Sequence, residues 1–246
     1  MEQYGIIGHP LQHSFSAEYF NEKFRNESID AIYNAFDIDR IEKVQEIIAS
    51  HPTLGGLNVT APYKEKIIEY LDELSPEIRK IGACNVIKVD RGGGTPRLIG
   101  YNTDYIAFKQ SIAPMLESHH KAALVLGTGG AAKAVQLVMK ELGIDAVLVS
   151  RYNRPGTVNY KNLTTDDLHT YNVIINATPC GMFPKSDDCP NIPYEGVNSH
   201  TLMYDLIYNP DITRFLYNGQ KQGATIKNGL EMWLLQAEAT WKIWNN

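Results

Sequence analysis

Short apolar runs alternate with longer amphipathic stretches along the first hundred residues. This alternation is typical of βαβ units on a mainly parallel sheet, because strands and helices bury one side with different periods. It predicts strands at 4–8, 31–36 and 54–60 with helices between them. Beyond these, the pattern predicts a helix over 63–74, a shorter helix ending at Ile81, and the strands NVIKV and RLIGY around the turn DRGGGTP.

The same alternation starts again after a helix predicted from Thr103 to about Leu116. This second series predicts the strands AALVLG, DAVLVS, VIINAT, HTLMYDLIY and ATIK, and helices over 129–142, from Thr213, and from Gly229 to Trp244. We therefore expect an α/β protein with two α/β domains and a cleft between them. Ligands usually bind at the carboxyl ends of parallel strands, so that cleft is the expected site.

Composition narrows the class of partner. The chain has 246 residues, 43% of them hydrophobic, and a formal net charge of −5. No block of like charges favours nucleic acid or an anionic membrane surface, so we expect a small-molecule partner. The N-terminus lacks a signal-peptide pattern, and no apolar run reaches the roughly 18 residues of a membrane helix. Three cysteines without metal-ligand spacing indicate a reducing cytoplasm and no structural metal.

The segment LGTGGAAKA, residues 126–134, follows a buried strand and opens a helix, as a dinucleotide-binding fingerprint does. Gly127 would form the tight turn, and Gly129 would allow a pyrophosphate to approach the amides of the helix N-terminus. Ala132 stands at the third glycine position, where alanine is tolerated. The alternative is a plain strand–turn–helix connection without a ligand.

The end of the next strand bears on the choice of cofactor. NAD-binding versions have an acidic residue there, about 20 residues after the loop, for the ribose 2′-hydroxyl. This chain instead has Ser150, Arg151 and Arg154 in the segment VLVSRYNR. Because a guanidinium binds a 2′-phosphate that a carboxylate would repel, the pattern favours NADP over NAD. Solvent-exposed arginines without a ligand are the alternative.

Four polar segments of the first half lie at predicted strand ends. Their candidate residues are Ser14 and Ser16 in GHPLQHSFS, Asn58, Thr60 and Lys64 in NVTAPYK, Asn85 in GACN, and Asn102 and Asp104 in GYNTD. Serines at a helix start either share a carboxylate with the helix N-terminus or serve as N-caps. A lysine after a strand is most often a solvated surface residue, and Asp104 fits helix capping equally well.

These segments together resemble the shikimate dehydrogenase family. The resemblance continues in the same order through GTGGAAKA, SRYNR, INATPCGM, YDLIYNP and NGLEMWLLQAE, and so covers nearly the whole chain. It implies NADPH-dependent, reversible reduction of 3-dehydroshikimate to shikimate in aromatic amino-acid (chorismate) biosynthesis. It also implies a substrate domain at 1–102, with the C-terminal helix 230–246 packed back on it, and a Rossmann-like NADP-binding domain at 103–229.

The resemblance implies a role for each matching residue. Lys64 and Asp104 would form the catalytic pair, with Lys64 protonated at neutral pH and so ready to act as the acid in carbonyl reduction. The implied substrate-binding residues are Ser14, Ser16, Thr60, Asn85, Tyr208 and Gln236. The implied cofactor-binding residues are Gly127, Gly129, Gly130, Ala131, Ser150, Arg151, Arg154, Asn176, Ala177, Thr178, Gly229 and Met232.

Some positions depart from the family pattern. Ala17 and Phe20 replace a usual Pro and His, Cys84 and Val86 replace Val and Thr, and SRY replaces the usual NRT near the adenosine phosphate. Tyr152 either stacks on adenine or packs against the protein. Two other functions stay open: a quinate/shikimate dehydrogenase that uses NAD or NADP, and a non-catalytic shikimate-binding relative. The sequence is compatible with a monomer or a homodimer.

Overall fold

The computed structural model describes residues 1–11 and 15–246. They form two compact units, one of Met1–Thr103 with Ala237–Asn246 and one of Asp104–Gln236, called unit 1 and unit 2 below. Each unit contains one six-stranded sheet.

Unit 1 alternates strands and helices as its hydrophobic pattern predicts. Its elements are β1 (Glu2–Gly8), α1 (Phe15–Asn26), β2 (Ala31–Asp37), α2 (Lys43–Ser50), β3 (Leu54–Val59), β4 (Glu73–Leu74), α3 (Pro76–Ile81), β5 (Val86–Asp90) and β6 (Arg97–Tyr101). The strand order is β2-β1-β3-β5-β6-β4. Among the strands described in this unit, β5 alone runs opposite to the rest, because it pairs antiparallel with both β3 and β6.

Apolar side chains cover both faces of this sheet. One face packs against α2 and α3 through Val44, Ile78 and their neighbours. The other face carries an aromatic cluster in which Phe20 of α1 stacks on Tyr33 of β2, with ring centroids 4.9 Å apart. Trp244 joins that cluster, and its indole N–H donates to the Ile87 carbonyl at 3.0 Å. The last residues of the chain therefore pack on the sheet of unit 1.

The helix predicted over 63–74 is wrong. The structure has a 3-10 helix at Lys66–Tyr70, and β4 follows it directly. Asp72 explains the change, because its backbone N–H donates to the Leu98 carbonyl and its carboxylate accepts from the Leu98 N–H. Pairing with the next strands thus overrides the helical periodicity of the segment.

Unit 2 continues the chain with a second set of elements. They are α4 (Thr103–Ile112), β7 (Ala122–Leu126), α5 (Gly130–Glu141), β8 (Asp145–Ser150), β9 (Thr157–Asn159), α6 (Thr165–Thr170), β10 (Val173–Asn176), β11 (Leu202–Asp205), α7 (Arg214–Lys221), β12 (Thr225–Lys227) and α8 (Leu230–Asn245), whose residues from Ala237 onward belong to unit 1. The strand order is β12-β11-β10-β7-β8-β9, with every pair parallel. This is the doubly wound order of dinucleotide-binding domains, whose direction of winding reverses between β7 and β10.

The prediction for unit 2 differs from the structure in three places. Helix α4 ends at Ile112 rather than near Leu116, because Pro114 disfavours the helical conformation at the residue before it. Strand β9 and helix α6 were not predicted, since three and six residues are too short to show a period. The predicted α/β class, with two mainly parallel sheets, is confirmed. Among the described residues, no helix is long and apolar enough to cross a membrane.

Candidate active site

The polar segments of unit 1 meet at one edge of its sheet. Strands β1, β3 and β6 are mutually parallel and end there, while the reversed strand β5 begins there. The chain direction therefore brings together the segments after Gly8, Val59 and Tyr101 and the segment before Val86. Position 8 requires glycine, since a Cβ there would lie 2.5 Å from the Thr60 methyl group. Ser14 lies outside the described residues.

Neutral side chains at this edge bond to one another. Asn85 is buried, with its Oδ1 accepting from the Thr103 N–H at 2.7 Å and its Nδ2 donating to the Thr103 hydroxyl at 3.0 Å. Asn58, also buried, donates to the Asn85 carbonyl and to the Thr240 hydroxyl of α8. The Thr103 and Thr240 hydroxyls are 3.3 Å apart. One network thus connects β3, the start of β5, the start of α4 and the end of the chain.

Ser16 joins the same network through Tyr33. The Ser16 side chain hydrogen-bonds to the Tyr33 hydroxyl, which donates in turn to Asn58 Oδ1 at 2.7 Å. Burial holds the pKa of Tyr33 well above its ordinary value, so this hydroxyl stays protonated and remains a donor. The predicted carboxylate-binding serine is therefore connected to the buried amides.

The two predicted catalytic residues, Lys64 and Asp104, lie in different parts of the chain. Lys64 is half-buried in the turn after β3, and its carbonyl accepts from the Cys84 N–H at 2.7 Å. Asp104 lies in the first turn of α4 and is 7% exposed.

In unit 2, the glycine segment forms a tight turn between β7 and α5. Gly127 has a φ of +120°, and a Cβ on it would lie 3.1 Å from the Ala177 carbonyl oxygen. A Cβ on Gly129, by contrast, would meet no atom within 4 Å. Helix α5 starts at Gly130 and Ala131, and none of the described side chains caps it. The turn therefore presents open space next to amides that favour an anion.

The three predicted residues at the end of β8 differ in burial and contacts. Ser150 is buried, and its hydroxyl accepts from the Tyr152 N–H at 3.1 Å. Arg154 donates to the Thr128 hydroxyl at 3.3 Å, so its guanidinium is held over the glycine turn. Arg151 is exposed, with its guanidinium carbon 6.0 Å from the ring centroid of Tyr152, and Tyr152 is 64% exposed.

The end of β10 adjoins the glycine turn on its other side. The Ala177 N–H donates to the Leu126 carbonyl at 3.0 Å, and the Thr178 methyl group faces Gly127. Asn176 is buried, and its side-chain oxygen accepts from both the N–H and the hydroxyl of Thr178. The predicted residues 176–178 therefore lie directly beside Gly127, at the point where the winding of the sheet reverses.

A third segment, 206–209, follows β11 at the same edge and contacts the start of α8. Gly229 donates to the Ile207 carbonyl at 3.0 Å, and a Cβ on Gly229 would lie 2.1 Å from the Leu206 carbonyl oxygen. Tyr208 packs on Trp233, with ring centroids 5.2 Å apart, and burial raises its pKa to about 12. Predicted residues Met232, which is buried, and Gln236, which is half-buried, lie on α8.

Comparisons with known proteins agree with this geometry. A family model described as the shikimate dehydrogenase substrate binding domain matches residues 6–87. A curated relative from Clostridium beijerinckii, named shikimate dehydrogenase (NADP(+)), is 37% identical over 99% of this chain and 92% of its own length. The chain belongs to the shikimate dehydrogenase family. It is therefore an oxidoreductase, as its nine ordered segments predict.

Solved shikimate dehydrogenases share the fold over more than nine-tenths of their length. The enzyme from Aquifex aeolicus superimposes with a TM-score of 0.87 at 32% identity, covering 100% of this chain and 92% of that one. The Thermus thermophilus enzyme, solved in complex with NADP(H) and shikimate, gives a TM-score of 0.85 at 27% identity and covers 99% and 93%. The family resemblance predicted from the motifs is confirmed.

Several side chains that organise this candidate site were not among the predicted site residues. Tyr33, Thr240 and Asp205 are buried, and each hydrogen-bonds to a residue far away in sequence. Tyr33 and Thr240 lie within apolar stretches, and no sequence signal marks their hydroxyls. Asp205 carries a signal, because it is an acidic residue at the end of a strand that is otherwise apolar.

Proposed function

We propose that this protein catalyses the reversible NADPH-dependent reduction of 3-dehydroshikimate to shikimate in aromatic amino-acid (chorismate) biosynthesis. The observation that carries the proposal is the glycine turn of unit 2 in a chain whose full-length relatives are named shikimate dehydrogenase (NADP(+)). The proposal includes unit 1 as the substrate domain, unit 2 as the NADP domain, and a cytoplasmic location, which three free thiols favour.

The residues of unit 2 fit a dinucleotide. Open space at Gly129 and the uncapped start of α5 suit a pyrophosphate, with Gly130 and Ala131 lining it. Ser150, Arg151 and Arg154 are assigned to the 2′-phosphate, because β8 ends without an acidic residue. Residues 176–178, Gly229 and Met232 are assigned to the nicotinamide half of the molecule. When bound, NADPH supplies the hydride.

Unit 1 supplies most of the groups assigned to the substrate, and Asp104, Tyr208 and Gln236 of unit 2 complete the assignment. Ser16 and Ser14 are assigned to its carboxylate, and Thr60 and Asn85 to its hydroxyls, together with Tyr208 and Gln236. Lys64 donates a proton to the oxygen that becomes a hydroxyl when the carbonyl is reduced, and Asp104 is its catalytic partner. Support comes from the edge of unit 1, where the Asn58 and Asn85 network is neutral and suited to an uncharged ring.

The decisive test is the loss of NADPH absorbance when 3-dehydroshikimate is added to the purified protein. We expect turnover with NADPH, much slower turnover with NADH, and oxidation of shikimate in the reverse direction. Quinate serves as the comparison substrate, because oxidation of quinate at a similar rate would instead support a quinate/shikimate dehydrogenase. Absence of turnover with either cofactor would reject an enzymatic function and favour a shikimate-binding relative.

A further inference from the structure

A buried carboxylate of unit 2 has no role in the proposed chemistry. Asp205 ends β11 and is 0% exposed. Its Oδ1 accepts from Asn176 Nδ2 and from the Ile207 N–H, both at 3.0 Å, and its Oδ2 accepts from the Thr213 hydroxyl at 2.6 Å. All three partners are neutral donors, and each belongs to a different segment.

These partners connect Asp205 to two segments assigned to the cofactor and substrate. Asn176 donates to the Cys180 carbonyl at 3.2 Å and accepts from Thr178, so it holds the turn 177–180. Ile207, whose N–H bonds to Asp205, accepts from the Gly229 N–H. One carboxylate therefore connects residues 177–180 with residues 206–209 and, through them, with the start of α8.

The charge at this position is supported without a cation. Among the described residues, no basic side chain hydrogen-bonds to Asp205, and burial raises its pKa to about 6 despite the three donors. Cys180 is a titratable side chain near Asp205. Burial is the main cause that raises the pKa of its thiol, and the charges of Asp188, Cys189 and Asp205 raise it further. The positive charge of Arg151 lowers the pKa of Cys180.

We propose that Asp205 is a positioning residue for the cofactor, which holds segments 177–180 and 206–209 in one arrangement at the carboxyl edge of the sheet of unit 2. This inference rests on the proposed binding of NADP by that unit. Asp205 touches neither reacting group, and it acts through Asn176 and through the Ile207 backbone.

The ionised form is the one that holds both segments. A carboxylate accepts at both oxygens, and bonds to an ionised acceptor are stronger than neutral ones. On protonation, Oδ2 becomes a donor toward Thr213 and Oδ1 loses its charge, so the bonds to Asn176 and Ile207 weaken. Asp205→Asn has the same shape and reproduces the protonated state at every pH.

The experiment measures NADPH binding by fluorescence between about pH 5 and pH 8, because the titration of Asp205 lies inside that range. At the upper limit we expect Asp205→Asn to bind NADPH about fivefold to tenfold more weakly than the unaltered protein. At the lower limit the two affinities should converge. The 2′-phosphate also titrates near pH 6, but it does so equally in both proteins, so the ratio of affinities isolates Asp205.

Thr201→Val is the matched control. Thr201 is buried just before the other end of β11, and its hydroxyl accepts from the Asn198 N–H at 3.2 Å. This variant loses a partly buried hydrogen bond next to the same strand without touching either segment. We expect its affinity for NADPH, relative to the unaltered protein, to stay constant with pH.

Hydrogen exchange of the ligand-free protein gives a second measurement. The Ile207 amide should exchange faster in Asp205→Asn, because its acceptor has lost its charge. Thr213→Val removes the donor to Oδ2 and should shift NADPH binding in the same direction, whereas Thr213→Ser keeps the hydroxyl and should restore it. These variants test the inference even where Asp205→Asn does not fold.

The outcomes separate this inference from the proposed function. Absence of NADPH binding by the unaltered protein would reject the proposed cofactor, while Ile207 exchange would still report on the two segments. Normal binding by the unaltered protein, combined with a pH-independent affinity ratio and unchanged Ile207 exchange in Asp205→Asn, would overturn the role of Asp205.

Discussion

The two units differ in what they present at the carboxyl edge of their sheets. In unit 1, side chains such as Asn58, Asn85 and Thr103 hydrogen-bond to one another within a neutral, buried network. In unit 2, the turn at Gly127 and Gly129 presents backbone and open space. The first edge presents hydrogen-bonding side chains, and the second presents backbone amides beside open space. We infer that each edge recognises its ligand by these groups.

This difference matches the two ligands of the proposed reaction. Backbone amides can bind the negative charge of a pyrophosphate whichever cofactor carries it. Small residues at a helix N-terminus are therefore sufficient to bind a pyrophosphate. A substrate with several hydroxyls and one carboxylate needs donors and acceptors at set positions, and rigid neighbours keep them there. The following predictions test whether each edge works in its own way.

Lys64→Ala should give the largest effect, and it tests whether the chemistry belongs to the edge of unit 1. We expect kcat to fall by about 10²–10⁴, the usual contribution of general acid catalysis, with a much smaller change in KM. Steady-state rates with saturating NADPH measure both. Lys66→Ala is the matched control, because Lys66 is an exposed lysine two residues further on. A near-normal kcat in Lys64→Ala would remove it from the mechanism.

Two glycines of unit 2 should respond to alanine in different ways. Gly229→Ala places a Cβ 2.1 Å from the Leu206 carbonyl oxygen, so we expect a loss of about 1–3 kcal/mol in the free energy of unfolding and poor NADPH binding. Gly129→Ala meets no protein atom, so it should unfold normally and yet bind NADPH about tenfold more weakly. Urea unfolding measures the stability of both variants, and titration with NADPH measures their affinity. Normal NADPH binding by Gly129→Ala would show that the open space beside Gly129 holds no ligand.

Arg151→Gln tests one of the two arginines assigned to the 2′-phosphate after β8. A hydrogen bond to a charged group contributes about 1.5–3 kcal/mol, so we expect KM for NADPH to rise about tenfold to a hundredfold. KM for NADH should hardly change, because that cofactor has no 2′-phosphate. Lys140→Gln, which removes an exposed charge from the last turn of α5, is the control. Equal effects on both cofactors would assign Arg151 to another contact.

The sequence predicts unit 2 better than it predicts the edge of unit 1. The glycine turn is continuous in sequence, so a strand, two glycines and a helix start are enough to predict its strand–turn–helix form. Long helices and strands were found for the same reason, since their periodicity is local. The helix predicted over 63–74 was wrong because Asp72 pairs with Leu98, which is 26 residues away.

The contacts between supporting residues at both edges were beyond prediction for a similar reason. Tyr33 and Asn58 are 25 residues apart, and Asn58 and Thr240 are 182 apart. Their contacts follow from the strand order β2-β1-β3 and from the return of the chain end to unit 1. Asp205 and Asn176 are neighbours only because β10 and β11 pair. A pattern of residue types shows that such groups are polar, whereas the fold determines which of them meet.

Tyr33→Phe should give the smallest effect, and it tests whether the neutral network of unit 1 positions Ser16. The ring stays stacked on Phe20, but Asn58 Oδ1 loses its donor. We expect a loss of about 1–3 kcal/mol in the free energy of unfolding, the cost of an unpaired buried acceptor, with KM for shikimate raised a few-fold and kcat nearly unchanged. Tyr4→Phe is the control, since the Tyr4 hydroxyl bonds to Glu2 at the other end of the sheet. If both variants leave KM unchanged, the network stabilises unit 1 without positioning Ser16.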